Sequence, residues 1–286
     1  MKAKIAVLTD TNSGITEKTC REFGVFVMPM PVIIDGQVFF EGRTVSREEF
    51  FKRLGEGAQV STSQPAPGEL TAAWDSLLLS FDEVLYIPMS GGLSGSVRTA
   101  RVLSGDYGGR VHVVDNRRIS MSLRQSALEA KKLADDGLTA DEIAQYLESD
   151  ALNASIYVTV NTLELLRRSG RVTNAAAAIS AVLHIKPVLQ IQGDKLDAFD
   201  RAWGMNAAMD IMINAVKADR EKRFAGQRVT IRPVHSGSDE QGERWRQRVQ
   251  EAFPDIEIGL DHLSVSVACH TGEGALGIGI MKDILK

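Results

Sequence analysis

Short apolar runs rich in β-branched residues alternate with amphipathic stretches through the first half of the chain, the pattern of strands followed by helices. Ile5 to Leu8 predicts a first strand, and Thr9-Asp10-Thr11-Asn12-Ser13-Gly14 a turn rich in capping residues. A helix is predicted from Thr16 to Phe23 with Thr16 as its cap. An extended segment follows from Val25 to Ile34, broken by Pro29 and Pro31. Asp35-Gly36 signals a hairpin that returns through Gln37 to Glu41. Ser46-Arg47-Glu48-Glu49 has the capping-box form and opens a helix to about Leu54. Gly68 to Leu79 predicts a helix, Val84 to Ile87 a buried strand, Ser94 to Leu103 a helix, Val111 to Val114 a strand and Ser120 to Asp135 a helix. Thr139-Ala140-Asp141-Glu142 starts another helix, to about Glu148. This alternation predicts a mostly parallel sheet covered on both faces.

The chain turns polar near Ser149 to Asn153, where a domain boundary is placed: residues 1–153 and 154–286. The second half predicts a mixed α/β domain. Its strands are Ala154 to Val160, Ile185 to Ile191, Leu196 to Phe199, Val229 to Val234 and Ile256 to Leu260. Its helices are Leu163 to Arg168, Asn174 to Leu183, Met205 to Phe224 and Asp239 to Ala252, before a glycine-rich end from Gly274 to Ile280. Gly193-Asp194 reads as a hairpin turn. The length of 286 residues favours two domains over one core.

Composition narrows the class. Hydrophobic residues are 44%, charged residues 24% and the net charge is -4, with no basic run, which argues against nucleic acid as the main partner. No apolar run reaches the length of a membrane span. Cys20 and Cys269 form neither a disulfide framework nor a metal-ligand cluster, a usage that suits a reducing cytoplasm.

The candidate chemistry centres on Ser90-Gly91-Gly92-Leu93-Ser94-Gly95-Ser96, a small-residue turn between strand and helix. A helix start offers unpaired N–H groups and partial positive charge, so the segment suits a carboxylate or phosphate. The Gly-Lys-Ser/Thr ending of a nucleotide phosphate loop is missing. Ser61-Thr62-Ser63-Gln64-Pro65 is a second hydroxyl cluster, and turn or capping chemistry is its alternative reading. Arg167-Arg168-Ser169-Gly170-Arg171 is a basic cluster at a helix end, with helix capping as the alternative. Arg201, at the end of a hairpin arm, is a candidate for an anion. His270, in Ala268-Cys269-His270-Thr271-Gly272-Glu273-Gly274, is a candidate on a site loop. His112, His184, His235 and His262 have less telling surroundings. Asp10 and Asp115 end strands, where carboxylates border a ligand crevice or hold loop N–H groups.

These pieces, in this order, resemble the DegV family, the bacterial fatty-acid-binding proteins that include the FakB subunits of fatty acid kinase. The likeness runs through Thr9-Asp10-Thr11, Thr62-Ser63-Gln64-Pro65, Ser90 to Ser96 and Val114-Asp115-Asn116. It continues through Leu166 to Val172, Ile185-Lys186-Pro187-Val188-Leu189 and His270-Thr271-Gly272-Glu273-Gly274-Ala275-Leu276-Gly277. The resemblance implies a two-domain DegV-like α/β fold. It implies a long-chain fatty acid (such as palmitate, stearate or oleate) with its carboxylate in an interdomain site and its acyl chain in a second-domain tunnel. Thr62 and Ser94 match the carboxylate-binding residues, with Ser63 and Gly92 beside them. His270 is implied close to the headgroup with an assisting role, and Arg201 matches an arginine that reaches it in some members. No cofactor and no metal are implied. The protein would be a binding subunit rather than an enzyme. Its partners would be the separate ATP-binding kinase subunit, which makes an acyl phosphate, and an acyl phosphate-using enzyme of phospholipid synthesis, with at most transient membrane contact.

Thr11, Asn116, Ala66 and Ser169 depart from the family's usual residues, none of them at Thr62, Ser94 or His270. Ala176 to Leu183 and Met205 to Val216 are candidate tunnel walls, or ordinary core. A competing reading is a lipid hydrolase with Ser94 or Thr62 as nucleophile and His270 as base, against which no Gly-x-Ser-x-Gly elbow is present. A third is a carrier of another small acid.

Overall fold

A computed structural model describes residues 3–178, 185–193 and 195–285. The chain forms two compact units. One comprises residues 1–152 with 264–266 and 285, the other residues 153–263 with 267–284 and 286.

The strands of the first unit are β1 (Ile5–Asp10), β2 (Phe26–Met28), β3 (Pro31–Ile34), β4 (Gln37–Phe40), β5 (Val60–Thr62), β6 (Glu83–Ile87) and β7 (Val111–Val113). Its helices are α1 (Cys20–Phe23), α2 (Arg47–Gly55), α3 (Pro67–Leu78), α4 (Ser96–Ser104), α5 (Ser120–Asp136) and α6 (Ala140–Ser149). A four-stranded sheet in the order β2-β1-β6-β7 is parallel throughout. Ala6, Leu8, Val84 and Tyr86 pack from it against Leu70 and Trp74 of α3 and Ala100 of α4. A three-stranded antiparallel sheet, β4-β3-β5, stands beside it in the same unit. Its hairpin turns at Asp35 (φ 49°) and Gly36 (φ 82°), the left-handed pair that a two-residue turn demands.

The second unit holds β8 (Ala154–Thr159), β9 (Ile185–Ile191), β10 (Asp197–Trp203), β11 (Val229–His235), β12 (Asp261–His262) and β13 (Leu276–Lys282). They form one mixed sheet in the order β10-β9-β8-β13-β11-β12. Helices α7 (Glu164–Ser169), α8 (Asn174–Ala177), α9 (Gly204–Lys222) and α10 (Asp239–Ala252) belong to this unit, and α11 spans Val265–Thr271. Met212 and Val216 of α9, Trp245 and Val249 of α10, and Ile231, Ile278 and Ile280 of the sheet share one core. The α/β class with a parallel first sheet and a mixed second domain is therefore observed. No helix among the described residues is long and apolar enough to cross a membrane.

Several elements differ from expectation. Helix α1 keeps only Cys20–Phe23, because Thr16 and Thr19 bond each other's backbone and side-chain groups in a turn. Helix α4 starts at Ser96, two residues later than predicted. The predicted strand from Ile256 to Leu260 does not form. Gln250 takes the Ile256 carbonyl and the Ile258 N–H instead, and only Asp261–His262 pair with the sheet. Arg201 lies inside β10, opposite Pro187, rather than after its arm. His270 sits on α11, not on a loop. Of the helix predicted from Asn174 to Leu183, Asn174–Ala177 is helical and Ala178 follows as its cap; residues 179–184, His184 among them, and Asp194 lie outside the described residues.

A buried ion pair and a buried carboxyl hold the first unit together. Arg118 Nη2 donates to Asp150 Oδ2 at 2.8 Å, and Nη1 donates to Ser126 Oγ at 2.9 Å. Asp10, fully buried at the end of β1, accepts from the N–H groups of Asn12 and Met89 and from Asn12 Nδ2, each at 2.9 Å. Burial outweighs these donors and raises the Asp10 carboxyl from 3.8 to about 6.

Arg118→Ala leaves Asp150 buried without its cation and is expected to cost about 3–5 kcal/mol in a urea unfolding curve. A loss under about 1 kcal/mol would contradict the pairing. The folded Asp10 carboxyl holds its proton more tightly than the unfolded one. Its contribution to stability is therefore complete below pH 3.8 and is lost as the pH rises through about 6, worth about 3 kcal/mol. Carboxyl carbon NMR is expected to place its midpoint near 6. A midpoint at the ordinary aspartate value would contradict this.

Candidate functional site

In the first unit the connection after β1 leads to β2 on one side, and the connection after β6 leads to β7 on the other. The carboxyl ends of β1 and β6 therefore border a topological switch point, the usual place for a ligand crevice in a parallel sheet. Asp10 closes its floor by joining the ends of both strands through Met89.

The turn after β6 is internally ordered. Ser90 N–H donates to Arg118 O, and Gly91 N–H donates to Asp115 Oδ1. Gly92 N–H donates to Ser90 Oγ, while the Leu93 and Ser94 N–H groups both donate to Ser90 O. Ser96 N–H donates to Ser94 Oγ at 3.2 Å. Neighbouring oxygens thus occupy the backbone N–H groups of Gly92 and Ser94. The turn instead offers hydroxyls. Ser94 Oγ, half-buried, stands 2.8 Å from the buried Ser96 Oγ. Ser96 N–H donates to Ser94 Oγ, and either hydroxyl of the pair can be the donor to the other; in the arrangement where Ser96 donates, the Ser94 proton is left for an anion.

Two glycines fit closely packed neighbours. A Cβ on Gly91 would lie 2.6 Å from Asp115 Oδ2, and one on Gly95 would lie 2.8 Å from Gln64 Oε1. Gln64 also exchanges hydrogen bonds with Thr99 of α4, at 2.9 and 3.1 Å. The segment Thr62-Ser63-Gln64 is thereby laid against the Ser94–Ser96 turn. Thr62 is fixed by pairing with Val32, and Ser63 N–H donates to Pro31 O at 3.3 Å. Thr62, Ser63, Gly92 and Ser94 are therefore carried on two segments held together by Gln64. In the loop after β7, Arg117 adopts a left-handed φ of 54°, a strained conformation beside which the Asp115 and Asn116 side chains accept from the N–H groups of Arg117 and Arg118; Ser120, the first residue of α5, has the same φ.

In the second unit His270 lies on the last turn of α11. Burial, with the Arg171 guanidinium adding to it, holds its imidazole down to about 4 from 6.5. It is neutral at pH 7. The buried Ser236 staples the following loop to β11: its Oγ donates to Gly272 O at 2.7 Å and accepts from Ala275 N–H at 2.8 Å. Ser236 and Arg171 were not assigned to the site from sequence, although Arg171 stood in the basic cluster. Arg201 is exposed on β10, and its N–H donates to Asp200 Oδ1 at 2.7 Å.

A cavity of about 490 Å³ opens in the second unit between α9 and α10, lined by Met205, Met209, Trp245 and Leu276 together with the polar Asn161, Asn206, Gln241, Arg244 and Arg248. Of the candidate tunnel walls, Met205 and Met209 face this space, while Met212, Ile213 and Val216 are packed into the core. A larger cleft of about 1060 Å³ in the first unit involves Ile5 and Phe26, at the opposite strand ends from the Ser94 turn.

The hydrolase reading fits poorly. In its unit Ser94 Oγ bonds a serine rather than a base. The charged neighbour acting on His270 is an arginine, which lowers its basicity, where a triad carboxylate would raise it.

Comparison with known proteins accounts for the whole chain. A family model described as "Uncharacterised protein, DegV family" matches residues 4–283. A DegV domain-containing protein of Deinococcus radiodurans is 32% identical over 280 residues, covering 96% of this chain and 98% of the relative. One from Listeria innocua is 30% identical, covering 97% of this chain and 98% of its own. Among solved structures, a fatty-acid-binding DegV family protein from Thermus thermophilus superposes with a TM-score of 0.88 at 29% identity, over 98% of this chain and 99% of that one. DegV of Bacillus subtilis shares the fold, with a TM-score of 0.86 at 24% identity over 98% of this chain and 100% of that one. With its sequence matched over residues 4–283 and its fold shared, this chain belongs to the DegV family.

Proposed function

We propose that this protein binds a long-chain fatty acid and acts as a binding subunit rather than a catalyst. The observation that carries this reading is Ser94: a half-buried hydroxyl, backed by buried Ser96, at the switch point of a parallel sheet, with no base bonded to it among the described residues of its unit. The fatty-acid-binding relative from Thermus thermophilus, similar over nearly its whole length, supports the class of ligand. Thr62 and Ser94 donate to the carboxylate, with Ser63 and Gly92 shaping the turn around it. His270 and Arg201 complete the headgroup's surroundings. The acyl chain lies in the second domain, where the 490 Å³ cavity falls in the range of small-molecule sites. Each methylene taken from water contributes about 0.8 kcal/mol. Affinity therefore resides mainly in the chain, and the headgroup contacts fix orientation.

A separate ATP-binding kinase then converts the held carboxylate to an acyl phosphate, which the protein presents to phospholipid synthesis. The absence of a phosphate-loop ending in the sequence, and a turn most of whose N–H groups are bonded within it, support leaving the nucleotide to the partner.

Titration of delipidated protein with palmitate and oleate tests the site. Ser94→Ala is expected to weaken binding about tenfold or more, the worth of one hydrogen bond to a charged acceptor. Unchanged affinity in both Ser94→Ala and Thr62→Ala would overturn the headgroup assignment. A carboxylate arriving beside His270 favours the charged imidazole, so loading is expected to raise its midpoint from about 4. An imidazole NMR titration that does not move on loading would remove His270 from the headgroup. With the kinase present, His270→Ala is expected to lose phosphoryl transfer more than binding, and equal losses would contradict an assisting role.

A further inference from the structure

Three residues that the sequence separates by up to 27 positions meet at one edge of the second unit's sheet. β11 ends at His235 and β12 ends at His262, and the two are register partners in a parallel pair. Register partners send their side chains to the same face of a sheet. The two imidazole rings lie 4.5 Å apart, tilted by 48°. On that side α10 begins at Asp239, just after its cap Ser238, and Asp239 Oδ1 is 3.8 Å from His262 Nε2. One ligand atom from each of the three side chains lies within 4.8 Å of the other two.

We propose that His235, Asp239 and His262 form a binding site for a divalent late first-row transition metal, Zn²⁺ foremost. Two imidazole nitrogens and one carboxylate oxygen would be its protein ligands, with water completing a tetrahedron. The donor set selects the ion. Imidazole suits zinc and its neighbours, whereas Ca²⁺ and Mg²⁺ call for oxygen ligands, of which this site has one side chain.

One wall of the site is rigid and two are movable. His235 is fully buried, and its ring occupies the space that a side chain at position 242 would need. Gly242 lies inside α10, where glycine costs about 1 kcal/mol relative to alanine, and a Cβ there would overlap the imidazole. The His262 and Asp239 side chains are 50% and 92% exposed. Ligand atoms on tetrahedral zinc stand about 3.3 Å apart. Rotation of these two exposed side chains onto His235 supplies the contraction. The ion would clamp β12, a strand of only two residues, and the start of α10 to the end of β11. β12 is also the last strand before α11, which carries His270. This assignment is independent of the fatty-acid reading.

The test uses the tag-free full chain, incubated with Zn²⁺, dialysed into metal-free buffer and analysed for retained metal, with Co²⁺ absorption as a report on tetrahedral coordination. The expected result is about one ion per chain. His262→Ala and Asp239→Asn, at exposed positions, are each expected to weaken binding at least tenfold while leaving palmitate binding unchanged. Zinc is expected to raise the thermal midpoint of the wild type but not of the double variant. Retention far below one ion per chain, or equal retention by the double variant, would overturn the site.

Discussion

The first unit depends on one buried carboxyl group. Asp10 stands where two neighbouring parallel strands end, and its oxygens take the N–H groups that begin the connections after β1 and β6. A carboxyl at zero exposure is costly to ionise, and its raised affinity for a proton records that cost. In return the ends of β1 and β6 are fixed against each other. The turn from Ser90 to Ser96 leaves that anchor with nearly every N–H already bonded, so it presents a formed surface rather than a flexible loop. A preformed surface needs no reorganisation to meet a ligand.

A different balance governs the second unit. His270 lies at the C-terminal end of a helix, where the dipole favours a charged imidazole, yet burial and Arg171 hold it neutral. In acid it opposes Asp10. A depressed histidine contributes stability above pH 6.5 that is lost as the pH falls through about 4, whereas the Asp10 contribution grows over the same interval. The two effects offset one another in any global pH-stability curve, so each is visible only by observing its own resonance.

Much of the architecture could be read from hydrophobic periodicity and caps, because strands β1, β6 and β8 and helices α5, α6 and α10 carry local signals strong enough to decide their fate. Thr139 and Glu142 form reciprocal capping bonds at the predicted helix start, whereas in the predicted box at Ser46 only the serine caps, with Glu49 bonded to Arg53. Elsewhere distant partners decided. Gln250 captured the backbone of a segment with strand character, and two threonines cut short a helix at Thr16. In the candidate site the residue types were legible, but their donors were not. Ser94 presents a half-buried hydroxyl, while N–H groups around it are taken by Ser90 and Asp115, a distribution that no spacing rule contains. Ser236, Arg171 and the meeting of His235 with His262 arise from strand register and helix placement, for which single-residue patterns hold no signal.

The central claim is that a chain built around Asp10 and the Ser94 turn holds a fatty acid by its carboxylate. Mass spectrometry of lipid extracted from the natively purified protein addresses it most directly. The account predicts about one long-chain fatty acid per chain, released on denaturation and depleted in Ser94→Ala. A wild-type preparation that carries no fatty acid and takes up neither palmitate nor oleate when they are added would contradict it.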